Sequence, residues 1–70
     1  MMKQELAKME ALVQDLATQS RIAEYACACA VMSEDWERAK LEAKRADIFR
    51  QSFIKTTENY LNELTKEEEQ

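Results

Sequence analysis

Met32-Ser33-Glu34-Asp35-Trp36 decides the fold, because the apolar phase that enters this stretch is not the phase that leaves it. Alternating steps of four and three from Met2 land on Leu6, Met9, Val13, Leu16, Ser20, Ala23, Cys27 and Ala30, an unbroken heptad seam. Carried past Ala30, the same phase selects Glu34, Glu37, Leu41 and Lys44. A new seam starts at Trp36 and runs through Ala39, Ala43, Ala46, Arg50, Phe53, Thr57, Tyr60 and Leu64. Only Arg50 is out of character there, and Phe49 beside it supplies the apolar volume while the Arg stem lies along the seam. The break therefore falls between Met32 and Asp35. Ser33 is the expected N-cap, with Glu34, Asp35 and Glu37 placing negative charge at the positive end of the second helix dipole. A strict capping box needs Glu or Gln at position 36, where Trp36 stands. Nothing in the stretch is a Gly or Pro that stops the first helix, so one continuous helix is the competing structure.

Folding at this break pairs positions whose numbers sum to about 66, and the side chains match in size. Cys27 meets Ala39, Ala23 meets Ala43, Ser20 meets Ala46, Val13 meets Phe53, Leu6 meets Tyr60 and Met2 meets Leu64. Small faces small near the turn, and large faces large at the open end. The expectation is an all-α fold, an antiparallel two-helix hairpin that associates into a helical bundle. Its parts are a helix over 3–31, a turn over 32–35 and a helix over 34–65. They form a single domain over 1–66, followed by an acidic frayed tail over 66–70. Each helix is about 45 Å long at 1.5 Å per residue.

The 70 residues hold no Gly, no Pro and no His, which removes the default residue for tight turns along with the commonest general base and metal ligand. A chain this short buries about 60% of its unfolded surface, too little for a large active-site cleft. Ten basic against fourteen acidic residues give a net charge of −4, which opposes bulk attraction to nucleic acid or anionic membrane. No run approaches the 18 apolar residues of a membrane span, and Met1-Met2-Lys3-Gln4-Glu5 leads into mixed polar sequence, so a cytoplasmic location is expected.

Leu12, Ile22, Tyr25, Cys29, Leu41, Ile48, Ile54 and Leu61 fall outside both seams and call for burial against another chain. Self-association into a four-helix bundle is one way to cover them, and a partner helix docked between the two arms is the other. Trp36 closes the hairpin end over Ala30, or else serves as a contact hot spot.

The chemical candidates are few. Cys27 and Cys29, two residues apart on a helix, point about 200° away from each other and cannot both reach one ion. They are read as small reduced core residues, with Cys29 able to form an intermolecular disulfide on oxidation. No metal site and no cofactor is expected. Carboxylates abound on solvated faces, where nothing sets an acid apart from a base, and Ser20, Ser33 and Ser52 have no His to activate them. No enzyme activity follows. Between 38 and 55 stand six basic residues and two acids, so the second helix carries a locally positive stretch. Lys40, Lys44, Arg45 and Lys55 are the candidate residues for an anionic partner such as RNA or a small nucleotide. A solvated face with pairs such as Glu34 with Arg38 is the alternative.

Chain length, the bend at Met32 to Trp36 and the run Leu41, Ala46, Phe49, Phe53, Tyr60, Leu61 give the whole chain a pattern that resembles the small two-helix co-chaperones of type III secretion systems. That resemblance implies a non-enzymatic adaptor that covers an amphipathic helix of a partner. Leu12, Ile22, Tyr25, Leu41, Ile48, Ile54, Leu61 and Trp36 are its candidate contacts. The hairpin also resembles plasmid copy-number regulators that dimerise into four-helix bundles and bind paired RNA loops. This likeness implies a homo-oligomeric RNA or nucleotide binder, and the same basic cluster would suit an inhibitor encoded by a mobile element.

Overall fold

A computed structural model describes residues 2–69. Helix α1 spans Lys3–Met32 and helix α2 spans Trp36–Glu69, and the two lie side by side as an antiparallel hairpin. The Cα trace measures 54 × 15 × 12 Å, which matches the roughly 51 Å of a 34-residue helix and excludes the straight rod.

The turn is tighter than expected and uses its residues differently. Glu34 takes a left-handed conformation with φ 59, the position a glycine usually fills. The Asp35 N–H donates to the Ala30 carbonyl at 2.9 Å and the Glu34 N–H to the Val31 carbonyl at 3.0 Å, the two bonds of a Schellman cap. Ser33 is the C-cap of α1, not the N-cap of α2, and its hydroxyl donates to the Cys29 carbonyl at 3.0 Å. Asp35 caps α2, because its Oδ1 accepts the Arg38 N–H at 3.2 Å and its carbonyl accepts the Ala39 N–H at 2.9 Å. Helix α2 consequently starts at Trp36, two residues after the expected start. At its other end, helix persists through the expected frayed tail as far as Glu69, with Lys66 Nζ bonded to Glu63 Oε1 at 3.3 Å; Met1 and Gln70 lie outside the described residues. Glu and Lys are strong helix formers, and no breaker interrupts them.

The pairing level is as read. The Cys27 thiol donates to the Ala39 carbonyl at 3.3 Å across the seam, so positions summing to 66 stand opposite each other. Among the described residues Ser20, Ala23, Ala30, Ala39 and Glu42 are buried. The phase of α2 differs by one position at alternate steps. Glu42 and Phe49 turn inward, while Ala43 and Arg50 are exposed. Burying a Phe is worth about 2–3 kcal/mol, whereas an Arg in the same place leaves its guanidinium to be solvated. The helix rotates to admit Phe49, and Glu42, one heptad earlier, is carried in with it. Its carboxylate takes a bond from Arg45 Nη1 at 3.3 Å. Toward the open end Leu6, Val13, Leu16, Phe53, Tyr60 and Leu64 are half-buried, and Met2, expected against Leu64, is exposed.

Candidate docking surfaces on the two flanks

The large off-seam residues are all outside. Leu12, Ile22, Tyr25, Trp36, Leu41, Ile48, Ile54 and Leu61 are between 49% and 73% exposed, and Cys29 is exposed as well. Among the described residues no large side chain is fully buried. Helical geometry then sorts these residues onto two sides of the hairpin instead of one stripe.

On the first side, a shallow groove between the helices is lined by Gln19, Ile22, Ala23, Glu42, Arg45 and Phe49. Leu41 and Ile48 stand four residues before and three after Arg45, so they share its face of α2. Leu12 stands one heptad before Gln19 and joins the same side toward the open end. Nearer the turn a second groove continues the surface past Ala26, Cys29 and Arg38. This flank therefore carries large exposed apolar side chains on both helices, Leu12 and Ile22 on α1 with Leu41 and Ile48 on α2, interspersed with Gln19, Glu42, Arg38 and Arg45.

The second side is different. Its grooves have small apolar residues and Phe53 along them, edged by Arg21 and Glu24 of α1 with Asp47 and Arg50 of α2, and Asp47 and Arg50 are bonded to each other at 3.1 Å. Ile54 and Leu61 continue the Asp47 face at intervals of seven, so they sit beyond these charges toward the open end. The surplus apolar residues thus form a broad patch on one flank and a narrower one on the other. Tyr25 lies on neither patch, three residues beyond Ile22 and 73% exposed on the outer face of α1.

Trp36 does not close the hairpin end. It is 62% exposed at the first position of α2, where the Schellman turn has already satisfied the backbone below it. Val31 and Met32 beside it are exposed apolar residues that a seam count passes over, because they fall off the heptad phase in the last turn of α1.

The basic cluster is divided. Glu37, Lys40, Lys44, Gln51, Lys55 and Glu58 follow one another at steps of three, four and seven on the outer face of α2, so the three lysines share their strip with two carboxylates. Arg45 leaves that strip for the groove and pairs with Glu42. Glu34 and Arg38 have no helical i,i+4 relation, because Glu34 lies in the turn at positive φ. Helix-surface pairs form at i,i+3 instead, as in Asp47 with Arg50 and Glu63 with Lys66.

Cys27 is half-buried and bonded into the seam while Cys29 faces the groove flank, the opposed directions that their spacing implies. Among the described residues no group of three or more His, Cys, Asp and Glu is placed to hold a metal ion. Among those residues no helix is long and apolar enough to cross a membrane. Comparison with known protein families, curated proteins and solved structures found no match.

Proposed function

We propose that this hairpin is a non-enzymatic, cytoplasmic protein-binding adaptor or co-chaperone that covers an amphipathic helix of another chain with its exposed apolar flanks. One observation carries the reading, an inversion of the usual order. Alanines, a serine and a glutamate fill the closed part of the seam, while isoleucines, leucines, a tyrosine and a tryptophan stand in solvent. A buried methyl contributes about 0.8 kcal/mol and a buried Ile or Leu about 1.5–3, so most of the apolar potential of the turn half is left to a partner. The mechanism is exclusion. A partner helix that would otherwise assemble through its apolar stripe finds that stripe already covered, as in the two-helix co-chaperones the chain resembles.

Calorimetric titration with two synthetic helices of the same composition tests this, one with a heptad apolar stripe and one with its order scrambled. The striped peptide is expected to bind with a negative heat-capacity change and to keep its affinity in high salt, and the scrambled one to stay inert. Equal indifference to both would end the proposal. A short RNA hairpin supplies the contrasting arm. If only the RNA binds, with affinity falling steeply as salt rises, the anion-binding reading of Lys40, Lys44, Arg45 and Lys55 replaces it.

A further inference from the structure

The groove flank is laid out so that it fits itself. Because Cys27 and Ala39 stand opposite each other, Ile22 is level with position 44, between Leu41 and Ile48. Leu41 lies roughly 4.5 Å nearer the turn and Ile48 roughly 6 Å nearer the open end, at 1.5 Å per residue. A twofold axis lying in the plane of this flank and running across the helices at the level of Ile22 lays Leu41 of one copy on Ile48 of the other and the reverse, with the two Ile22 side chains meeting at the axis. This is the self-complementarity an isologous interface requires. Arg45 stands close to the same level, and its bond to Glu42 brings a neutral pair to the joint instead of a bare cation. The opposite flank has no such arrangement. Ile54 and Leu61 both belong to α2, and the α1 side of the groove leading to them offers Ala17, Arg21 and Glu24.

Surface area supports the same occupant. The hairpin exposes 5681 Å². A compact monomer of its 8.2 kDa mass exposes about 4,500 Å² by the mass scaling of folded proteins, so about 1,100 Å² is in excess. A standard interface takes roughly 800 Å² from each partner. Resting on the reading of the hairpin as a protein-docking module, we infer that the flank of Ile22, Leu41 and Ile48 is occupied by a second copy of this chain. The product is a twofold four-helix dimer that leaves Ile54 and Leu61 facing outward.

Light scattering on the full chain over about a hundredfold range of concentration reads this directly. The expected mass at the upper end is twice 8.2 kDa. Ile48→Asp is expected to weaken the dimer by roughly thirtyfold or more, as for an interface hot spot, and Ile54→Asp to leave it unchanged. Circular dichroism accompanies both variants. With Cys27→Ser and Cys29→Ser as background, Ile22→Cys should cross-link into dimers on mild oxidation while Ile54→Cys does not, a result that needs no destabilising charge. A mass of 8.2 kDa throughout overturns the inference, and so does a dimer that Ile54→Asp abolishes and Ile48→Asp spares. A monomer that still binds the striped peptide removes the second copy and keeps the docking module. A dimer indifferent to that peptide supports the second copy and removes the foreign helix.

Discussion

Near the turn Ala23, Ala30 and Ala39 are closed off from solvent, whereas toward the open end Leu6, Val13, Phe53 and Tyr60 are larger and only half-buried. The two halves of one hairpin separate two quantities that usually travel together, completeness of burial and energy of burial. Small residues let the backbones approach until a thiol reaches a carbonyl on the facing helix, yet each contributes little apolar area. Bulky residues contribute more area but hold the helices apart, and two helices alone cannot surround them. The turn half is thus the geometrically exacting part, and its larger side chains are those left outside.

The largest expected effect tests that exactingness. Ala23→Leu adds branched volume where the helices are closest and should cost about 2–3 kcal/mol, lowering the melting temperature by roughly 4–8 °C for each of those. Val13→Leu adds a single methylene at a half-buried site of the open half and should cost below about 1 kcal/mol. Equal losses in the two variants, measured by thermal circular dichroism, would break the distinction between the halves.

Glu42 sharpens it. The side chain is 9% exposed, and its partner Arg45 keeps 60% of its own in solvent, so the carboxylate gives up more hydration than the arginine. Replacing a whole buried ion pair by apolar residues is often neutral or stabilising, and removing one member is costly only where it strands a buried charge, whereas Arg45 stays in solvent here. Glu42→Met is expected to raise stability by about 1–2 kcal/mol in urea unfolding, with the slope unchanged. A loss would mean that Glu42 holds the inward rotation of α2 in place.

The turn gives the next effect. A non-glycine residue in the left-handed region costs roughly 1 kcal/mol, and Glu34 carries that cost at φ 59. Glu34→Gly should therefore stabilise by about 1 kcal/mol, and Asp35→Ala should destabilise by about as much through loss of the N-cap. Differential scanning calorimetry on both variants gives shifts of opposite sign if the cap and the strain are assigned correctly.

Much of this architecture was legible in the residues. The change of phase across Met32 to Trp36 located the bend, and the match of small with small set the level that the Cys27 bond displays. Reading failed where one residue's environment depends on a neighbour's. Counting by sevens put Ala43 and Arg50 in the seam, because the count treats each position alone. Helix rotation is settled for the whole face at once, and the demand of Phe49 brought Glu42 inside. The turn is ambiguous in the sequence for a related reason. Ser33 and Asp35 are both N-cap residues by type, and only the Schellman bonds from Glu34 and Asp35 decide which helix each one serves. The off-seam apolar residues were identified correctly as exposed, but a list has no sides, so their division between two flanks emerged only with the grooves.

The smallest effect concerns the open half. Thr57 Oγ1 is buried there with no hydrogen-bond partner, a polar atom held in a seam too loosely filled to exclude it and too closed to hydrate it. Thr57→Val keeps the shape and the branched Cβ while removing the unpaired hydroxyl, so it should stabilise by somewhat less than about 1 kcal/mol. Thr65→Val is the matched control. That hydroxyl is exposed and donates to the Leu61 carbonyl at 2.9 Å, so its loss should change stability by only a few tenths of about 1 kcal/mol. A gain at 57 without one at 65 assigns the effect to desolvation. Gains at both would trace it to helix propensity instead, and the open half would then be as wet at Thr57 as it is at Thr65.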